Sequence, residues 1–376
     1  MEEWKEYKIC EITIMKNGRK RPLEKGTYPV YGGNGIMDYT NDYNAENNII
    51  VGRVGAYCGN VFYNKHKCWV SDNAISVQAN DLVDTKYLFY LMSSLDLHHQ
   101  HIGGAQPLMT QDIIGGVDVR IPSKRMQKRI AGFLSSLDDK IELNQQINDN
   151  LEQQAQALFK SWFVDFEPFK NCEFVDSELG MIPKGWRVTN LGAVTTECKE
   201  KVGARLDVKV LSPVTSGELL LSEEYFTKQV FSDSIAKYIV VKPNEFAYNP
   251  ARVNIGSLGI NTFNFDGCVS PVYVVFKTEL QYHHFFNLLR TRDNFKSEIN
   301  SRAIGGVRQT LSYKDFSLIK VVYPPIHIIE EFNKIYSSLL NRMDSNTFEN
   351  KKLSHLRDTL LPRLMSGELK INEIDC

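Results

Sequence analysis

At 376 residues the chain has material for two or three domains, and a composition of 43% hydrophobic and 24% charged residues is that of an ordinary globular protein. A net charge of −1 lacks the strongly basic signature of a free-standing DNA-binding protein, so if DNA is a ligand its positive charge must be unevenly placed or shared with partners. Seven scattered cysteines with no Cys-x-x-Cys pair support neither a disulfide frame nor a structural zinc, and read as reduced packing residues.

The start, Met1-Glu2-Glu3-Trp4-Lys5, has neither the basic nor the apolar region of a signal peptide, and no apolar run reaches the roughly 18 residues of a membrane span, so the expected location is the cytoplasm. Residues 1–122 read as a first mixed α/β head. Short β-rich runs such as Asn48-Ile49-Ile50-Val51 and Ala74-Ile75-Ser76-Val77 lie between Gly and Asn turns, with one short helix near Thr85 to Ser94. Lys16-Asn17-Gly18-Arg19-Lys20-Arg21 places four cations around a turn, where they are able to neutralise phosphates. Arg53, in a Gly-rich turn, is a further candidate, and the Tyr/Asn-rich run from Tyr28 to Asn48 has the hydrogen-bonding repertoire for base edges. His98-His99-x-His101 reads as a surface cluster at a helix end, because adjacent histidines diverge and no matching ligand set accompanies them.

Residues 123–170 are a helical region. Apolar residues fall at Ile130, Leu134, Leu137, Ile141, Leu151, Ala155, Leu158 and Trp162 in alternating steps of four and three, with Asn144 and Asn148 at the two remaining seam positions. From Lys124 to Trp162 is roughly 39 residues, or about 58 Å if unbroken. Residues 171–324 form a second mixed α/β head, with a β-rich run at Pro271-Val272-Tyr273-Val274-Val275-Phe276 and one short helix near Leu280 to Arg290. Its candidate DNA contacts are Lys199, Lys201 and Arg205 in a loop comparable to the first basic turn, then Arg252, Arg302 and Arg308. Residues 325–376 return to helix, with the seam Phe332, Tyr336, Leu339, Met343, Asn346, Asn350, Leu353, Arg357, Leu360 and Leu364. Ile121-Pro122 and Tyr323-Pro324-Pro325 block helix upstream of the two rods, while Glu167-Pro168 and Leu361-Pro362 bend or stop them downstream.

The second half repeats the first. Ile102-Gly103-Gly104 returns as Ile304-Gly305-Gly306, Pro122 as Pro324, and Ser135-Ser136-Leu137 as Ser337-Ser338-Leu339, each displaced by the same 202 positions (337 − 135). The two Gly-Gly pairs read as tight turns leading into the last strand of each head. Local echoes inside the heads drift, since Trp4 matches Trp186 and Gly52-Arg53-Val54-Gly55 matches Ala251-Arg252-Val253-Asn254-Ile255-Gly256, so the heads differ by insertions while the rods match in length. Because Asn144 and Asn148 recur as Asn346 and Asn350, the two helices are expected to pair with each other. A polar seam residue lowers stability but fixes register.

Catalytic signatures are weak. Asn249-Pro250-Ala251-Arg252 resembles the Asn-Pro-Pro-aromatic motif of adenine-amino methyltransferases only superficially, lacking the second proline and the stacking aromatic, and no Gly-Lys dipeptide provides a phosphate-binding loop. The stretch Asp176-Ser177-Glu178-Leu179-Gly180-Met181-Ile182-Pro183-Lys184-Gly185-Trp186, the run Leu137-Asp138-Asp139-Lys140-Ile141-Glu142-Leu143-Asn144 and the run Leu361-Pro362-Arg363-Leu364-Met365-Ser366-Gly367-Glu368-Leu369, taken with the repeat, resemble the specificity subunit of type I restriction-modification systems across essentially the whole chain. That resemblance implies two target-recognition domains alternating with helical regions that pair as an antiparallel coiled coil, in a circular pseudo-twofold. It implies a non-catalytic DNA-recognition subunit whose partners are double-stranded DNA, two modification subunits and restriction subunits. It further implies that S-adenosylmethionine, ATP and Mg²⁺ belong to those partners, with no metal or cofactor on this chain. Two unlike heads on one frame predict an asymmetric bipartite target with half-sites about one helical turn apart. The other readings are a stand-alone DNA methyltransferase or nuclease, and an adaptor that never touches DNA.

Overall fold

The computed structural model describes residues 4–103, 107–226, 231–232, 234–303 and 310–371. The chain separates into two compact units, one formed by residues up to Ile147 together with those from Asp344 onward, the other by Asn148–Met343. Each unit holds one head and a stretch of both long helices.

The first unit runs β1 (Lys5–Lys8), α1 (Ile9–Ile12), β2 (Thr13–Asn17), β3 (Tyr28–Gly32), β4 (Gly35–Thr40), β5 (Asn48–Gly52), β6 (Val61–Asn64), β7 (Trp69–Val70), β8 (Ala74–Ala79), α2 (Thr85–Ser93), α3 (Gln111–Gly115) and β9 (Asp118–Ile121) into the long helix α4 (Lys124–Phe163). Its main sheet is antiparallel in the order β2-β8-β5-β6. β5 is buried at every position because both its faces are covered. Ile49 and Val51 pack with Tyr87 and Leu88 of α2, and Ile50, pointing the other way, packs with Tyr31 and Val70 of the smaller sheet β4-β3-β7 and with Cys68 just before β7. Helix α2 starts where the Asp84 carboxylate accepts from the Tyr87 backbone N–H at 3.1 Å.

The second unit continues through β10 (Phe174–Val175), β11 (Ile182–Pro183), β12 (Arg187–Asn190), β13 (Thr195–Cys198), β14 (Lys209–Pro213), β15 (Leu219–Leu221), α5 (Ser222–Tyr225), β16 (Ile239–Val241), β17 (Phe246–Tyr248), β18 (Leu258–Ile260), β19 (Gly267–Val269), β20 (Val274–Thr278), α6 (His283–Leu289), α7 (Asp293–Arg302), α8 (Tyr313–Phe316), β21 (Lys320–Tyr323) and α9 (Ile326–Ser366). Its sheet order β13-β20-β17-β18 repeats β2-β8-β5-β6 strand for strand, and β12-β21 repeats the β1-β9 pair. The parallel pair β3-β7 recurs as β14-β19. Even one side-chain hydrogen bond recurs: Thr13 Oγ1 donates to Ile9 O at 2.7 Å, and Thr195 Oγ1 to Leu191 O at 2.8 Å. The main insertion is β16, which lies antiparallel on β19 where the first head has only an isolated Ala45–Cys68 bridge.

Both long helices form, and none of their predicted seam positions is exposed. In the first unit Asn144 Nδ2 donates to Asn350 Oδ1 at 2.9 Å and to Glu349 Oε2 at 2.7 Å, while Asp138, earlier in α4, pairs with Arg357, later in α9, so the two run antiparallel. In the second unit Asn148 Nδ2 donates to the Met343 carbonyl at 3.1 Å, and Phe163 meets Phe332 with ring centroids 4.9 Å apart. The asparagines thus satisfy backbone and carboxylate groups as well as each other. Each head's core is closed by one end of each helix. Ile130 and Leu134 of α4 with Leu364 and Met365 of α9 complete the first, and Phe159 and Phe163 with Ile329 and Phe332 complete the second.

Three expectations are corrected. Of the bend or stop expected at Pro362, the stop does not occur: α9 continues to Ser366, because burial of Leu364 and Met365 in the first head's core outweighs the one backbone hydrogen bond that proline removes. Each head has more than one short helix. α1 and α3 join α2 in the first head, and α5, α7 and α8 join α6 in the second, because elements of four to ten residues are too short to show a helical period. Cys10 and Cys172 are exposed, so packing accounts for Cys58, Cys68 and Cys268 but not for these.

Candidate nucleic-acid interface

The two basic loops occupy the same place in the repeated topology, one following β2 and the other following β13, yet their charges are disposed differently. In the first head, Lys16 ends on the exposed side of β2. The chain then crosses Ser71 so closely that a Cβ on Gly18 would lie 1.9 Å from the Ser71 carbonyl oxygen, which only glycine avoids. The Val70 carbonyl accepts from the Arg19 N–H at 3.0 Å, and the Trp69 indole N–H donates to Arg19 O at 3.2 Å, so the loop is pinned at its backbone. Lys16, Arg19 and Lys20 are exposed and carry no ion pair among the described residues. Arg21 differs, lying 3.3 Å from Asp38, which Lys25 also engages. The Lys25 hydrogen bond, then the Tyr39 N–H, hold the Asp38 carboxyl below the usual carboxylate range.

In the second head the comparable loop is balanced by acid. Lys199 pairs with Glu197 at 2.7 Å and Lys242 with Glu200 at 2.7 Å. Arg205 sits 2.8 Å from Asp207 and 2.9 Å from Asp266, with Glu200 at 4.0 Å. Asp207, then Asp266, raise the guanidinium pKa further, and the Arg205 guanidinium in turn holds Asp207 below its ordinary value. Of the three cations predicted there, only Lys201 is exposed without an ion pair among the described residues. Arg302 ends α7 beside Glu298 at 3.4 Å, and Arg308 lies outside the described residues.

The Tyr28–Asn48 run is mainly scaffold. Asn44 imitates a strand neighbour, donating to Val70 O at 3.0 Å and accepting from Val70 N at 2.7 Å. Asn41 donates to Lys25 O, Asn47 accepts from the Tyr63 hydroxyl and Asn48 bonds Ser76. Asn34 remains exposed in the β3–β4 hairpin turn, beside the exposed Ile36, Met37 and Tyr39 of β4.

Arg53 and Arg252 lie in corresponding turns. Arg53 follows β5 and precedes a single 3₁₀ turn at Gly55–Tyr57; Arg252 follows β17 and precedes one at Val253–Ile255. Asn249 accepts from the Ala251 N–H at 3.0 Å, the Asx turn of a strand end. The histidine cluster is a surface feature. His98 bonds the Cys58 carbonyl, His99 bonds Asp96, and among the described residues no group of three or more His, Cys, Asp or Glu is placed to hold a metal. Gly103 has φ +89°, whereas Gly104, Gly305 and Gly306 lie outside the described residues.

Residues 1–153 match the family model described as the type I restriction modification DNA specificity domain. The MjaIX specificity subunit of Methanocaldococcus jannaschii is 29% identical over 78% of this chain and 71% of its own length, and the HindI specificity subunit of Haemophilus influenzae is 26% identical over 80% and 81%. The chain is thus similar to type I restriction-modification specificity subunits over most of its length. A crystal structure of the type I S subunit from M. genitalium shares the fold with a TM-score of 0.61 at 17% identity, covering 97% of this chain and 96% of that one. The specificity-subunit fold therefore extends through both heads, although the family model covers only the first head and most of α4.

One polar node within this frame escaped the sequence reading. Asp138 accepts from the Tyr90 hydroxyl at 2.5 Å and pairs with Arg357 at 2.7 Å, joining α2, α4 and α9 in the first unit. A charged Arg357 among seam residues was the available signal, since a half-buried guanidinium requires a carboxylate opposite it.

Proposed function

We propose that this chain is the DNA-reading component of a type I restriction-modification complex, with each head contacting one half of an asymmetric, bipartite site. The observation that carries the reading is the repeated strand order of the two heads combined with their unlike loops: one frame used twice, with a basic loop in the first copy that, among the described residues, pairs only Arg21 of its four cations and an acid-balanced loop plus an added strand in the second. Two copies of one frame suit two segments of the same duplex, and different loops suit different bases. The paired helices set the unspecified gap between the half-sites and carry two modification subunits. S-adenosylmethionine is bound by those subunits, and ATP with Mg²⁺ by the restriction subunits. No helix among the described residues is long and apolar enough to cross a membrane, in keeping with a cytoplasmic complex acting on DNA. The test is exchange of residues 178–323 for the second head of another specificity subunit, followed by mapping methylated motifs in cells that also express the modification subunit. One half-site should change and the other persist; a change in both, or in neither, contradicts the division of labour.

A further inference from the structure

We propose that Arg53 and Arg252 are equivalent phosphate contacts, one in each head, that grip the DNA backbone independently of sequence. The inference rests on the DNA-reading function above. Both lie in the segment between the third strand of the same four-stranded order, β5 or β17, and a single 3₁₀ turn, Arg53 directly after its strand and Arg252 as the residue that caps its turn. Both turns are clamped by corresponding residues 202 positions apart (311 − 109). Met109 N donates to Arg53 O at 2.8 Å, and Leu311 N donates to Pro250 O at 3.1 Å, two residues before Arg252. Met109 and Leu311 are fully buried, so each clamp is anchored in its head's core. Further bonds hold the two backbones: Arg53 N donates to Asn73 O at 2.9 Å, while Arg252 O accepts from Ile255 N at 3.1 Å and Ser257 N at 3.2 Å.

The side chains contrast with this fixed backbone. Among the described residues neither guanidinium has a carboxylate partner, and Arg53 makes only a long 3.4 Å contact to the Asp72 carbonyl. Arg21, Arg205, Arg302 and Arg357 each face an acid within 3.4 Å. A guanidinium on a rigid turn with its charge uncompensated is a donor fork preorganised for an external anion, and a phosphodiester oxygen pair is the geometry it fits. The heads have diverged in loop charge and strand number but each keeps an arginine in this clamped turn, shifted by two residues relative to the clamp. A contact common to heads that read different bases must address what all DNA shares, which is its backbone.

The test uses the full chain assembled with its modification subunits, carrying Arg53→Gln, Arg252→Gln or both, with binding to a motif-bearing and a scrambled duplex measured across a salt series. Each substitution should reduce the slope of log affinity against log salt by about 0.9, weaken both duplexes by a similar factor, and leave the methylated motif unchanged. Arg53→Lys and Arg252→Lys should restore most of the slope, which separates a charge effect from a folding defect. An unchanged slope, a loss confined to the motif duplex, or an altered motif would overturn the assignment. If the unsubstituted complex showed no preference for its motif, the DNA-reading function would fall first, and this inference with it.

Discussion

A cation adds to DNA affinity in proportion to the charge that its own protein has left uncompensated, and by that measure Lys16, Arg19 and Lys20 differ from Arg205. Replacing the first three by Gln should flatten the salt dependence of complex binding by up to about 0.9 of slope for each real phosphate contact. Arg205→Gln should leave the slope unaltered, because Asp207 and Asp266 already neutralise it; a drop near one unit would show that the guanidinium leaves its carboxylates for DNA. None of this pairing was legible in the sequence beyond nearest neighbours, since Asp266 lies 61 positions (266 − 205) from Arg205 and only the fold brings them together. A second titratable group sets acid sensitivity. His284 lies in the second unit with its ring 3.8 Å from that of His283 and 5.0 Å from that of Tyr336, and burial, then His283, pushes its pKa down to about 4. The unfolded chain, with a histidine pKa near ~6.5, therefore binds the proton first. Stability from this site is full above about pH 6.5 and is lost as pH falls towards 4, amounting to roughly 2 kcal/mol by pH 5. Denaturant titrations at pH 7 and pH 5 should show this loss, and His284→Phe should remove most of the difference.

The long helices carry different chemistry at equivalent positions. Asp138 and Arg357 of the first unit correspond, at the 202-residue offset, to Leu340 and Ala155 of the second, and those two belong to one apolar cluster there. The second unit thus supplies a working apolar solution for the place the first fills with a half-buried ion pair and the Tyr90 hydroxyl. Arg357→Ala alone strands Asp138 and should cost about 1 to 3 kcal/mol, the lower part of that range reflecting a pair still about 30% exposed. The combination Asp138→Leu, Arg357→Ala and Tyr90→Phe removes all three polar partners together and should return stability to within about 1 kcal/mol of the parent. Urea midpoints of the single and triple variants check this, and a triple variant weaker than Arg357→Ala would show that the node does more than satisfy itself. The helices were the most legible elements because a period of three and four over forty residues has few alternatives. The heads were legible as mixed α/β only. Their shared strand order was hidden because the echo offsets drift from 182 at Trp4 and Trp186 to 199 at Arg53 and Arg252, and insertions such as β16 break the alignment between identical strands.

At the scale of the whole chain, the seam and the heads constrain each other. The constant offset of 202 keeps Asn144 and Asn148 matched with Asn346 and Asn350, and the antiparallel register is fixed where Asn144 bonds Asn350 and Asn148 bonds the Met343 carbonyl. Adding seven residues to one helix alone would move one asparagine of the Asn144–Asn350 pair by about 10 Å and leave buried amides without partners. Adding one heptad to each helix, at positions related by the offset, keeps every seam residue in phase and changes length alone. If helix length sets the gap, the extended complex should methylate a site whose two half-sites are unchanged and whose unspecified spacer is longer by about three base pairs, since ~10 Å of helix corresponds to about three steps of ~3.4 Å. Genome-wide mapping of methylated motifs distinguishes the outcomes. An unchanged spacer would mean that the modification subunits, not the helices of this chain, fix the distance, while an altered half-site would mean that the helices reach into base recognition itself.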